Sequence, residues 1–157
     1  MKVDQFDIQE EKEASYRRLV RPRMMEELKE GILEKFVVQK KYRDNGYTAR
    51  QLAADLDSNV RYISAVIRVQ FHTNYTTLVN KYRVEEAMSL LSDQRYEDLN
   101  VEEIGDIVGF AHRQSFHTAF LKYVGMTPKA YRTECERRLP PKPKKEKKAK
   151  KDKNEKQ

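Results

Sequence analysis

Cysteine, glycine, proline and long apolar runs are all scarce in this chain. One cysteine, Cys135, stands among 157 residues. It can form neither an internal disulfide nor, by itself, a cysteine-based zinc site. Nowhere do about 18 apolar residues run together, the length that a membrane span needs. Residues 1–13 carry five acids and no apolar core, unlike a secretory leader. Glycine and proline number five each, and alternating β-branched stretches are few, which argues against a strand-rich fold. His72, His112, His117 and Cys135 do not fall at metal-ligand spacings. The pairs Glu26/Glu27, Glu85/Glu86 and Glu102/Glu103 are adjacent on helices, so their carboxylates diverge rather than converge on a substrate. No glycine-rich phosphate loop is present. The expectation is a non-enzyme with no cofactor and no metal, working in a reducing, cytoplasmic setting without a membrane partner.

Charge is what the chain has in abundance. The formal balance is +7, from 32 Lys+Arg against 25 Asp+Glu, which points to a polyanion partner. Residues 140–157 hold nine lysines and three acids, net +6, so the remaining 139 residues are nearly neutral at +1. The Lys-rich end, residues 138–157, has no apolar period and is expected to be disordered. Within the body, residues 59–71 carry Arg61 and Arg68 and no acid. Residues 111–124 carry Arg113 and Lys122 and no acid. Residues 72–110, between them, are net −5. Two acid-free segments flanking an acidic connector suit a molecule that touches a polyanion at two patches.

Apolar residues recur at helical spacing throughout, so the fold class is all-α. Met24, Met25, Leu28, Ile32, Leu33, Phe36 and Val37 form a stripe behind Pro22. Thr48 and Gln51 make a capping box for a short helix that turns Leu52, Ala53 and Leu56 inward. Ser58 or Asn59 caps the next helix, whose core face is Ile63, Val66, Ile67 and Phe71. Its other face carries Arg61, Ser64, Ala65 and Arg68. A long helix covers residues 75–92. Asn100 and Glu103 form a second capping box, and Ile104, Ile107 and Val108 point inward. The helix after Gly109 buries Phe116, Ala119 and Phe120 and exposes Arg113, Gln114, His117 and Thr118. Gly125 ends it, and Thr127-Pro128 starts a last helix anchored by Tyr131. Residues 1–23 are an N-terminal extension, expected to be a frayed end more than an amphipathic helix through Tyr16, Leu19 and Val20.

The halves repeat. Thr48-x-x-Gln51-Leu52-Ala53-x-x-Leu56 matches Asn100-x-x-Glu103-Ile104-Gly105-x-x-Val108. Ile63-x-x-Val66-Ile67-x-x-x-Phe71 matches Phe116-x-x-Ala119-Phe120-x-x-x-Val124. Each half is a short helix, a tight turn and a longer helix, the helix-turn-helix plan. Ala53 and Gly105 are small where the paired helices must cross closely, and Asp57 and Gly109 suit a left-handed turn.

The run Val108-Gly109-Phe110-x5-Phe116-x2-Ala119-Phe120-x2-Tyr123-x-Gly125-Met126-Thr127-Pro128-x2-Tyr131-Arg132 closely resembles the signature of AraC/XylS-type transcriptional regulators. Tyr82–Ala87 with Leu90-Leu91 is similar to that family's linking helix. The resemblance covers residues 24–137. It implies a seven-helix domain in which residues 24–74 form the first helix-turn-helix unit, 75–92 the linking helix and 93–137 the second. It implies that Arg61, Ser64 and Ala65, and then Arg113, Gln114, His117 and Thr118, face bases of double-stranded DNA. Ala65 and Thr118 stand where members often carry Arg, Asp57 replaces the usual turn glycine, and His72 stands where a helix-ending glycine is usual. Arg68, Lys122 and Lys129 are candidates for phosphate contact, as are the helix N-termini at Thr48, Asn100 and Thr127. The resemblance further implies a monomer that contacts RNA polymerase and more often activates. With 23 residues ahead of the body, the expectation is a stand-alone form without a small-molecule effector domain. The competing expectation is an architectural module that binds DNA by charge alone, or a protein-interaction bundle.

Overall fold

The computed structural model describes residues 5–140, and the Lys-rich segment 141–157 lies outside the described residues. Among the described residues all regular structure is helical. The elements are α1 (Gln5–Leu19), α2 (Pro22–Leu33), α3 (Ala49–Asp55), α4 (Val60–Phe71), α5 (Tyr75–Ser92), α6 (Val101–Val108), α7 (Arg113–Val124) and α8 (Pro128–Arg138). Short single turns cover Glu34–Val38, Lys41–Arg43 and Gln94–Tyr96. Among the described residues no helix is long and apolar enough to cross a membrane.

Two apolar cores lie along α5. The first gathers Val20, Met25, Leu28, Ile32, Phe36, Leu52, Ile63, Val66 and Ile67 around Leu78 and Val79. The second gathers Ile104, Val108, Phe110, Phe116 and Phe120 around Val84, Ala87 and Leu91. One 18-residue helix therefore contributes its first half to one core and its second half to the other. Phe36 centres the first, edge-on to Tyr47 and tilted against Tyr82 at 5.6 Å. Phe116 and Phe120 centre the second, with Tyr131 of α8 edge-on to Phe120.

The structure corrects three expectations. The stripe from Met24 to Val37 is not buried throughout: Met24 and Val37 are exposed. α2 ends at Leu33 and continues as a wider π-type turn, closed by Gln39 N–H donating to Glu34 O. That wider turn shifts the phase, so Phe36 stays in the core while Val37 and Val38 rotate out. Ile107 lies at the rim of α6, because the inner arc of this eight-residue helix is taken by Ile104, Gly105 and Val108. The N-terminal segment is a 15-residue helix rather than a frayed end. Tyr16 and Leu19 are half-buried against the first core, Val20 is fully buried in it, and α1 packs against α4.

Candidate nucleic-acid interface

In the first unit, Thr48 and Gln51 form the reciprocal box at the start of α3, with hydrogen bonds of 3.2 and 3.3 Å. The chain then turns through Asp57, at φ 52. Asn59 is the cap of α4, accepting from Tyr62 N–H at 2.9 Å. His72 ends α4 in the left-handed region usually given to glycine. In the second unit Asn100 and Glu103 close their box with two bonds of 2.8 Å. α6 and α7 cross closely at Gly105, where a Cβ would sit 2.6 Å from the Phe116 ring. Gly109, at φ 109, makes the turn.

The faces these turns present differ between the units. On α4, Arg61 and Ser64 are exposed and Arg68 is half-buried. Ala65 does not lie on the open face: it is fully buried as part of the first core. Spacing along α4 alone does not show which of the four helices packed on it reach that flank. On α7, Arg113, Gln114 and Thr118 are exposed, and Gln114 Nε2 donates to Thr118 Oγ1 at 3.5 Å. Arg113 is ion-paired to Glu102 of α6 at 3.2 Å, with both side chains solvated. Such a pair is worth about 0–1 kcal/mol and exchanges readily for another anion. His117 is half-buried, edge-on to Phe116, and its Nε2 is enclosed without a hydrogen-bond partner. Lys122 and Lys129 are exposed, and Thr127 caps α8 by accepting from Ala130 N–H at 3.2 Å.

A crevice between the two units joins the ends of α4 and α7. Phe71, Thr73, Thr77, Asn80, Lys81, Lys122 and Tyr123 line it. Of these, Thr73, Thr77, Asn80 and Lys81 fall within residues 72–110, the connector that is acidic as a whole. The signal was available: no acid occurs anywhere in residues 58–84, so the acid-free stretch extends well into α5. The connector's acids begin only at Glu85.

Several contacts lock the units together. Arg83 of α5 donates from Nε to Tyr42 O at 2.7 Å and from Nη2 to Asp44 O at 3.2 Å, while its guanidinium covers the Phe110 ring at 5.5 Å. Burial lowers the Arg83 pKa from its ordinary value, yet both carbonyls remain bonded. Glu86 bonds Arg43 and Lys40. Burial pushes its carboxyl up, but hydrogen bonds from Arg43, Tyr42 and Lys40 outweigh that and hold it below the usual carboxylate range. Burial and the same carboxylate raise the Tyr42 phenol well above its ordinary value. Tyr123 of α7 donates to Glu85 at 2.9 Å. Gly109 presses on the carbonyl oxygens of Tyr42 and Arg43, leaving no room for a Cβ. Among the described residues no group of three or more His, Cys, Asp or Glu could hold a metal ion.

Two helix-turn-helix units on one linking helix define a DNA-binding domain of the double-unit kind. A family profile described as a helix-turn-helix domain matches residues 52–134, and the chain belongs to this AraC-type family of DNA-binding transcription regulators. The melibiose operon regulatory protein of Escherichia coli K12 is 26% identical over 95 residues, 60% of this chain and 30% of that protein. An uncharacterized HTH-type transcriptional regulator of Bacillus subtilis, YtdP, is 28% identical over 87 residues, 55% of this chain and 11% of that protein. The chain thus spans a third or less of the curated relatives it matches. Among solved structures, the C-terminal domain of the response regulator yesN from Fusobacterium nucleatum is 31% identical, with a TM-score of 0.56 over 64% of this chain and 94% of that one. The C-terminal domain of AraT, a response regulator from Geobacillus stearothermophilus, is 28% identical, with a TM-score of 0.59 over 69% and 84%. The matched domain and these relatives are those of transcription regulators, not of enzymes.

Proposed function

We propose that the chain is a sequence-specific binder of double-stranded DNA that sets α4 and α7 into successive major-groove segments. In this reading it regulates transcription in the bacterial cytoplasm as a monomer, activating through contact with RNA polymerase. The observation that carries it is the pairing of two acid-free second helices, each behind a capped short helix, on one shared linking helix. Arg61 and Arg113 take the base-reading roles, since Arg bonds guanine O6 and N7 together. Ser64, Gln114 and Thr118 lie beside them, and His117 takes part by swinging its Nε2 out of its enclosed position. Arg68, Lys122 and Lys129 take phosphates, with the helix starts at Thr48, Asn100 and Thr127 donating N–H groups. The crevice residues Thr73, Thr77 and Lys81 add a third stretch of backbone contact between the two grooves.

The test is selection of a preferred duplex from a random pool, followed by titration of variants. Arg113→Ala is expected to cost about 1–3 kcal/mol on the selected site and to relax preference at one base position. Equal loss on scrambled DNA would remove the base-reading role. The Lys-rich composition of residues 140–157 favours a second reading, binding by charge alone. Deleting that segment is expected to flatten the salt dependence of binding while keeping the sequence preference. Loss of preference with the segment would favour the charge-only reading.

A further inference from the structure

We infer that α1 is a detachable cover over the first recognition helix, so that DNA binding through α4 is held in check until α1 moves aside. This rests on the reading of α4 as a groove-entering helix. α1 lies outside the residues matched by the family profile, yet it packs directly on α4. Ala65 is 0% exposed and Val69 6%. Arg68 shares a crevice with Gln9, Lys12, Glu13, Ser15 and Tyr16 of α1. The edge of α4 that carries Arg68 is therefore occupied by α1.

The dimensions turn this contact into a conflict. A major groove about 12 Å wide admits one α-helix, and one helix with its side chains is already about 10–12 Å across. α2, α3 and α5 also pack on α4 and leave Arg61 and Ser64 exposed, whereas α1 reaches Arg68, on the side where a second helix at about 8–10 Å between axes would have to enter the groove beside α4. Charge adds to the exclusion. Asp7, Glu10, Glu11 and Glu13 stand in the first nine residues of α1 against the single cation Lys12. With α1 docked, Glu13 lies beside Arg68 together with Lys12, and the other acids of this end add to the negative field that a phosphate would meet.

α1 is also held weakly enough to move. The helix itself has no fully buried residue, and Phe6 is 75% exposed. Its anchors, Tyr16, Leu19 and the following Val20, are all at its C-terminal end. The N-terminal half has little apolar contact to lose, the mark of a segment that opens locally at low cost. Val20, fully buried, keeps the helix tethered while it swings.

The experiment uses the full chain and a fluorescent mixed-sequence duplex at low salt, read by anisotropy. The double variant Tyr16→Ala/Leu19→Ala weakens the anchors, and Glu10→Gln/Glu11→Gln/Glu13→Gln neutralises the acids. Glu26→Gln/Glu27→Gln/Glu30→Gln, at three exposed positions of α2, makes the same charge change off α1. Coupling of this kind is typically on the order of 5- to 150-fold, so the anchor variant is expected to bind at least about fivefold tighter. The α1 charge variant is expected to gain more than its α2 control. Amide exchange on the wild-type chain is expected to show α1 losing protection, and α4 and α7 losing none, when duplex is added. Extra protection of α1 on the duplex, or an anchor variant with intact circular dichroism and no gain in affinity, would overturn the cover. Absence of any duplex binding by every chain would instead overturn the DNA-binding reading and the cover with it.

Discussion

Gly109 and Gly125 both end helices in the left-handed region, at φ 109 and φ 85, but they answer to different constraints. A Cβ at Gly125 meets nothing within 4 Å, whereas one at Gly109 runs into the backbone of Tyr42 and Arg43 in the other unit. Gly125→Ala therefore carries only the conformational penalty, about 1 kcal/mol. Gly109→Ala adds a clash with backbone that cannot rotate away, and is expected to lose at least about 3 kcal/mol. Denaturant midpoints of the two variants measure the difference. The sequence marked both positions as helix ends, through the residues around them. It could not mark Gly109 as a place where the units touch, because Tyr42 lies 67 residues earlier. Ala65 shows the same limit: its helical phase puts it outside, and the helices packed around α4 bury it in the first core.

At the scale of the element, α5 carries most of the design. Helical spacing and capping residues were enough to read the helix and both capping boxes, because those bonds are local. The ion cluster on α5 was not legible, since Glu86 meets Lys40 and Arg43 from more than 40 residues away. That cluster has a pH signature. The Glu86 carboxyl is held below its ordinary value of 4.5 by its partners, so its folded form binds a proton less readily than its unfolded form. Its contribution is full above about pH 4.5 and is lost as pH falls through the lower folded value. Melting temperatures of the wild type and Glu86→Gln are expected to differ by the equivalent of about 1–3 kcal/mol at neutral pH, and to converge in acid. A constant gap down to pH 2 would contradict the assignment. The acidic connector is shorter than residues 72–110 for a similar reason. Net charge over residues 72–110 averages an acid-free first half of α5 with the acids that follow Glu85.

Taken whole, the molecule has two cores that one helix enters in turn, and a seam where Arg83 bonds the first unit while covering a ring of the second. The all-helical class and the doubled unit were legible from the repeat, which is written in residues of both halves. The seam joins them at positions that no repeat relates, so it was not. Its consequence falls on the DNA. A body whose two reading helices are locked through Arg83, Glu86 and Gly109 measures a fixed distance and a fixed angle, like a pair of calipers. On DNA of 10–10.5 base pairs per turn, one base pair inserted between the half-sites turns the far one by about 34–36° and moves it about 3.4 Å. A hinged pair of units would follow that displacement at little cost. This one is expected to lose the far half-site altogether, so that a single inserted base pair costs as much affinity as scrambling the whole second half of the operator, a comparison that one titration of three duplexes makes.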